Sequence, residues 1–400
     1  MEGLDEPVLL EKTTSPAASH ADKERAILEA CRWRNLDALR ALAESPGGFI
    51  TDKTRQQAWP VLLGLPSGDG ETPTIPLGQA TEAGPWKELP RHRDEDQVQL
   101  DVNRAFIYYP ENQNDAELAR QKDELSALIV EVLRRNPYLC YFQGYHDICQ
   151  VFLLVLPPPI RAPAVARLSA LRIRDFMLPS LGPAVRQLRL IPDILRASDP
   201  RLWHHLSGTE PFFALAGTLT MYAHDITTLG EISRLFDVLL AREPVFSVYM
   251  FAAIVRSRRE ELFDTPHDEP EMLHSILCKL PRPLDLEALI SAARALFDAH
   301  PPERLPAWRT ISRASVLRTA RHPGVCATQS MADGRGFFEK QVTELRWLKR
   351  RDKACELLWQ HRRPVRTVGI AVLVGVAAAV FRRYPGVLAY IYGIVSRWVR

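Results

Sequence analysis

Two polar runs in this chain carry side chains that could act together on a phosphoryl group. The run VQLDVNR, residues 98–104, ends at Arg104, and the run YFQGYHD, residues 141–147, contains Gln143. A guanidinium is planar, always charged and forks onto phosphate oxygens. A side-chain amide can orient the water that attacks such a group. The pair therefore predicts chemistry on a nucleotide that a partner protein holds.

Four segments, in order along the chain, carry a resemblance to one family. Residues 55–64 read R-x-x-x-W-x-x-L-L-G, and residues 98–104 read V-x-x-D-x-x-R. Residues 141–144 read Y-F-Q-G, and residues 234–237 read R-L-F-D. At these positions the chain resembles the TBC-domain GTPase-activating proteins that act on Rab GTPases. It is most similar to the subgroup with a C-terminal anchor in the endoplasmic reticulum membrane.

The resemblance implies a role for each matching residue. Arg104 and Gln143 would be catalytic, and Gln143 would replace the water-positioning glutamine of the GTPase. The activator itself would need no cofactor, because GTP and Mg²⁺ belong to the GTP-bound Rab. The supporting residues that the resemblance implies are Asp101, Tyr141, Gly144, Asp147, Arg55 and Trp59.

Two residues of these motifs, Arg104 and His146, also have an ordinary structural interpretation. Taken alone, Arg104 is a solvated helix residue paired with Asp101 at i,i+3. His146 could be taken for a base, but phosphoryl transfer of this kind needs little base chemistry from the activator. Two other functions stay open: a non-catalytic Rab-binding scaffold, and a membrane-shaping adaptor whose C-terminal tail is the active part.

Composition excludes several other classes of protein. The formal net charge of +3 is too small to indicate a nucleic-acid partner, and no G-x-x-x-x-G-K-[ST] phosphate loop is present. The six cysteines lack C-x-x-C spacing, which predicts free thiols in a reducing compartment. Residues 1–20 have no apolar core, so no secretory signal is predicted there.

Apolar residues recur mostly at helical spacing, and no run has the period of two that marks a strand. The predicted fold is all-α. Its parts are a disordered N-terminus (1–21), a TBC domain (22–300), a linker (301–337), a basic amphipathic segment (338–363) and a C-terminal membrane anchor (364–400).

Several helices and one ion pair are predicted, and the helices beside the two motifs would position them. Residues 22–45 and 96–109 are each predicted as one helix, and the second would carry Arg104. Asn114 should cap a long helix that ends before Pro137. A helix over 145–156 should follow Gln143. Within residues 234–237, the Arg and Asp at i,i+3 are predicted to pair with each other.

The tail carries the predicted membrane segment. Residues 367–381, TVGIAVLVGVAAAVF, are uncharged and have arginines on both sides, and a second apolar run covers 384–396. A spanning helix needs about 20 residues, so three interpretations stay open: a short single span, a hairpin, or a soluble buried helix. The resemblance favours contact with the membrane through 367–396. It implies residence in the endoplasmic reticulum membrane, a catalytic domain in the cytosol, and action in traffic towards the Golgi.

Overall fold

Helices make up all the regular structure that can be described. The computed structural model describes residues 16–66, 85–110 and 113–360, together with 375, 378, 382 and 383. Across those ranges every regular element is an α-helix or a short 3-10 helix. The predicted all-α class is confirmed.

The α-helices are α1 (Pro16–Arg32), α2 (Leu36–Glu44), α3 (Asp52–Leu62), α4 (Glu95–Val102), α5 (Asp115–Arg135), α6 (Tyr145–Val155), α7 (Pro158–Leu171), α8 (Gly182–Leu188), α9 (Leu190–Ser198), α10 (Pro200–His205), α11 (Leu215–Leu219), α12 (Leu229–Ala241), α13 (Phe246–Ser257), α14 (Arg259–Phe263), α15 (Pro270–Leu277), α16 (Leu286–Ala299), α17 (Val316–Thr319), α18 (Pro323–Thr328) and α19 (Met331–Gln360). The 3-10 helices are Trp86–Glu88, Arg174–Met177, Pro211–Ala214, Pro302–Arg304 and Pro306–Thr310.

Helix α5 is the long support beneath the two motifs. The Asn114 side chain accepts a hydrogen bond from the Glu117 N–H at 2.8 Å, which confirms the predicted N-cap. The helix ends at Arg135, and its basic last turn suits the negative end of the helix dipole. One face of α5 is buried, and it packs against α4, α6 and α7. Helix α5 therefore supports α4 and α6, the two helices beside the motifs.

A buried carboxylate joins the start of the domain to its middle. Asp237 on α12 is fully buried and accepts hydrogen bonds from Arg55 Nε at 3.0 Å and Trp59 Nε1 at 2.8 Å, both on α3. Arg234 instead pairs with Glu287 at 2.7 Å. The predicted pairing of Arg234 with Asp237 is wrong, because each has a better partner far away in sequence.

The N-terminal region differs from its prediction in two ways. Residues 22–45 form two helices, since Arg34 takes a positive φ of 49° and Asn35 then caps α2. Helix α1 begins at Pro16, within the stretch predicted as disordered. The rest of that stretch, residues 1–15, lies outside the described residues.

The segment predicted as a linker, 301–337, is folded onto the domain. Trp308 is only 6% exposed, and buried Asp175 accepts hydrogen bonds from Ser315 Oγ and from Gln341 Nε2 at 2.8 Å. One compact unit extends to Gln341. The prolines misled the prediction because most of them begin short helices, where a missing N–H costs nothing.

Helix α19 covers most of the predicted basic amphipathic segment and leaves Trp347 and Trp359 exposed. The predicted anchor, 364–400, lies almost wholly outside the described residues. Within the part of the chain that is described, no helix has both the length and the apolar character to cross a membrane.

Candidate functional site

Arg104 lies in the turn after α4, and the helix predicted to continue to residue 109 stops earlier. The Arg104 N–H donates to the Asp101 carbonyl at 2.9 Å, which closes a tight turn. Phe106 then takes a φ of 62°, which no continuing helix allows. The Arg104 side chain is 61% exposed, so its guanidinium is able to reach a partner.

The buried side chain of Asp101 orients the side chain of Arg104. Its carboxylate is fully buried and accepts from Arg104 Nη2 at 2.6 Å. It also accepts from the Tyr141 hydroxyl at 2.9 Å and from Gln97 Nε2 at 3.0 Å. Hydrogen bonds to a charged acceptor are the stronger kind. One buried carboxylate therefore connects the segment of Arg104 to the segment of Gln143.

Gln143 is exposed at the turn that leads into α6. Phe142 before it is buried against Tyr145 and Phe176. Gly144 after it has a φ of 99°, and a Cβ there would lie 2.6 Å from Thr220 Cγ2. Only glycine fits this position without strain. The backbone of Gln143 is thus fixed on both sides while its side chain stays in solvent.

The segment before Gln143 is tied to the start of α4. The Tyr141 N–H donates to Asp94 Oδ2 at 2.9 Å, and Arg93 Nη2 donates to the Leu139 carbonyl at 3.0 Å. The Cys140 N–H donates to the Met177 carbonyl at 2.9 Å. The contacts of Asp94, Arg93 and Asp101 hold α4 across residues 139–141 at both of its ends, and the bond to Met177 joins the same segment to the 3-10 helix Arg174–Met177.

Asp147 anchors the first turn of α6. Its Oδ2 lies 3.1 Å from His224 Nδ1, and its Oδ1 lies 3.3 Å from His146 Nε2. The hydrogen bond to Asp147 raises the pKa of His224, whereas burial lowers the pKa of His146.

Burial and the neighbouring Asp101 raise the pKa of the Tyr141 hydroxyl, which therefore keeps its proton and acts as a donor.

Gln150 holds the loop after Arg104, and the sequence analysis did not single it out. Its side chain is buried, accepts from the Phe106 N–H at 3.0 Å and donates to the Tyr109 carbonyl at 3.2 Å. The only signal in the sequence is an amide among the apolar residues of α6. Such an amide must find polar partners when it is buried.

The remaining supporting residues lie elsewhere in the fold. Arg55 and Trp59 both bind Asp237 between α3 and α12. Among the described residues, no group of His, Cys, Asp and Glu is arranged to hold a metal ion. The structure therefore brings together Arg104, Asp101, Tyr141 and the turn of Gln143, and places Arg55 and Trp59 in a separate structural pair.

An all-helical domain in which one buried carboxylate joins the segments of an exposed arginine and an exposed glutamine fits the class of GTPase activators. The family model for the Rab-GTPase-TBC domain matches residues 52–263. This chain belongs to that family of Rab GTPase-activating proteins.

Individual relatives agree with this assignment. GTPase-activating protein gyp10 of Schizosaccharomyces pombe is 33% identical over 316 residues, which cover 78% of this chain and 81% of that protein. TBC1 domain family member 20 of Homo sapiens is 32% identical over 308 residues, which cover 75% of this chain and 73% of that protein. The crystal structure of the Ypt/Rab-GAP domain of Gyp1p superposes with a TM-score of 0.53 at 17% identity. That match covers 65% of this chain and 92% of the other, and it supports the fold.

Proposed function

We propose that this chain accelerates GTP hydrolysis on a Rab GTPase by supplying Arg104 and Gln143 in trans. The observation that carries the proposal is the buried Asp101 carboxylate, which binds both Arg104 and Tyr141. It joins the Arg104 side chain to the segment that carries Gln143. The GTPase brings GTP and Mg²⁺.

Arg104 would neutralise charge on the phosphoryl oxygens in the transition state. Its guanidinium is accessible to a partner, because 61% of its side chain is exposed. An arginine supplied in this way contributes about 10³–10⁵ in rate for well-studied GTPases. Asp101 would keep the guanidinium plane in position, so less freedom is lost when the partner binds.

Gln143 would hold the attacking water. It lies on a turn that Gly144 and Phe142 fix, so its amide starts from a defined backbone position. The amide can accept from the water and donate to the partner's backbone.

The test of Arg104 compares three variants in single-turnover GTP hydrolysis against a panel of Rab GTPases. Arg104→Ala should lower the accelerated rate at least about a hundredfold, and Arg104→Lys should also fail because an ammonium lacks the planar fork. Arg91→Ala is the matched control, since Arg91 is similarly exposed (63%) and lies just before α4. Full activity of the lysine variant would exclude the proposed role.

The test of Gln143 uses a Rab whose own switch glutamine has been replaced. If Gln143 positions the water, the wild-type chain should still accelerate hydrolysis on that Rab, and Gln143→Ala should not. Normal action on the unaltered Rab without action on the altered one would assign the water to the partner's glutamine.

We also propose that residues 367–396 bind the endoplasmic reticulum membrane, with the catalytic domain in the cytosol and a role in early secretory traffic. The uncharged run 367–381 supports this, with its flanking arginines. As a helix it would span about 22 Å, at about 1.5 Å per residue. The bilayer of the endoplasmic reticulum is thinner than that of the plasma membrane.

Carbonate extraction tests the membrane proposal. The full chain should stay with the membrane, and a chain ending at Gln360 should be released and still catalytic. Release of the full chain by carbonate would exclude integral insertion.

A further inference from the structure

Two apolar side chains project into solvent just after Arg104. Ile107 is 73% exposed and Tyr108 is 52% exposed. Both neighbours of the pair, Phe106 and Tyr109, are buried, so the segment turns these two apolar side chains outward while its flanking residues face the core. We call Ile107 and Tyr108 the exposed pair.

The loop that carries the exposed pair is fixed at both ends. Gln150 binds the Phe106 N–H at 3.0 Å on one side and the Tyr109 carbonyl at 3.2 Å on the other. Lys122 Nζ on α5 donates to the Asn103 carbonyl at 2.7 Å, just before Arg104. The backbone around the exposed pair is therefore pinned to α5 and α6.

We propose that the exposed pair docks on the same GTPase into whose nucleotide pocket Arg104 is inserted. This inference rests on the proposed function and extends it. The partner is a GTP-bound small GTPase with an apolar recess beside its nucleotide pocket, and Ile107 and Tyr108 fill that recess.

The short chain between Arg104 and the exposed pair keeps the pair close to the partner once Arg104 has entered the nucleotide pocket. Three residues of extended chain span at most about 11 Å and four at most about 14 Å. A typical protein interface covers about 800 Å² on each partner, equal to a disc of about 16 Å radius. With Arg104 near the centre of such an interface, Ile107 and Tyr108 lie inside it. Tyrosine is one of the residue types that most often contribute a large share of the affinity when they lie near the centre of an interface.

The fixed backbone makes docking efficient. Little loop entropy is lost on binding, because Gln150 already holds the loop in one conformation. The docking pair and Arg104 then divide the work: the pair supplies binding in both the ground state and the transition state, and Arg104 supplies stabilisation in the transition state. This division predicts that the two can be separated in kinetics.

The experiment measures kcat and KM for GTP hydrolysis with the full chain and the Rab on which it is most active. Ile107→Ser/Tyr108→Ser should raise KM for the Rab at least about tenfold and leave kcat within about twofold. Arg104→Ala should lower kcat instead. Trp33→Ala is the control: Trp33 is 71% exposed, and it lies between α1 and α2, which pack on α3 and α12.

The possible outcomes of this experiment lead to different conclusions about the exposed pair and about the proposed function. An unchanged KM in the double variant, with normal acceleration, would overturn the docking role and leave the proposed function intact. A fall in kcat at constant KM would also overturn it, because the pair would then be positioning Arg104. The same KM increase in Trp33→Ala would make the effect nonspecific and overturn it too. If no Rab responds to the wild-type chain, the proposed function itself fails.

Discussion

The substitution Asp101→Asn tests whether a buried carboxylate controls the rate of a reaction on another protein. The amide has nearly the same shape as the carboxylate but no charge. Asp101 accepts from Arg104, Tyr141 and Gln97 at 2.6, 2.9 and 3.0 Å. An asparagine keeps one acceptor oxygen and turns an NH₂ towards a donor at the other position.

The magnitude follows from those bonds. A hydrogen bond to a charged group contributes about 1.5–3 kcal/mol and a neutral one about 0.5–1.5 kcal/mol, so each weakened bond loses about 1 kcal/mol. Solvent screening reduces the share of Arg104, whose side chain is 61% exposed. Relief of the buried charge offsets a further part. We expect the free energy of unfolding to fall by about 1–2 kcal/mol.

The effect on catalysis should be larger than the effect on stability. A reacting group displaced by about 1 Å can cost about a hundredfold in rate, so kcat should fall by about 10–100-fold. The loss stays below that of Arg104→Ala, because the guanidinium is still present. KM for the Rab should change little, because the exposed pair Ile107 and Tyr108 is unaltered.

The assay is single-turnover hydrolysis at saturating activator, with urea unfolding as the check on folding. Asp96→Asn on α4 is the matched control, since its side chain is 85% exposed and lies away from Arg104. The reasoning is refuted if Asp101→Asn is folded and has the same kcat as Asp96→Asn.

Two further predictions concern stability. Asp237→Ala removes the partner of the buried Arg55 guanidinium, so the free energy of unfolding in urea should fall by about 3–5 kcal/mol; a loss under about 1 kcal/mol would contradict this. The pair of His224 with Asp147 raises the histidine pKa, so its contribution is complete below the unfolded pKa of about 6.5 and is lost as pH rises through the folded value. The wild type should therefore exceed His224→Asn in stability by more at about pH 5.5 than at about pH 8.5, and an equal difference at both would count against the ion pair.

Local signals predicted much of the fold. The helix predicted over 145–156 matches α6 (Tyr145–Val155) to within one residue, and Asn114 caps α5 as expected. Both rest on interactions within a few residues. The end of α4 was missed because it depends on Phe106, whose left-handed backbone is held by Gln150 from another helix.

Long-range partners account for the other differences. The i,i+3 spacing of Arg234 and Asp237 suggested a pair, but Glu287 and Arg55 are the actual partners. A sequence read in short windows cannot reveal them. In the candidate site, the motifs singled out Arg104 and Gln143 as candidates, while the hydrogen bond between Asp101 and Tyr141 emerged only from the packing of α4 across residues 139–141.

Because residues 301–341 fold onto the domain, the domain is complete only after these residues have been synthesised. Buried Arg174 and Asp175 form hydrogen bonds with Gln341 and with the carbonyl and hydroxyl groups of residues 314–315. At about 5–20 residues per second, residues 301–341 take about 2–8 s to make. During that interval all the helices of the site have been synthesised. Arg174, Asp175 and the apolar surface beneath Trp308 still lack the contacts that residues 301–341 supply. Until residue 341 has been made, the nascent chain therefore remains exposed to proteases and to aggregation.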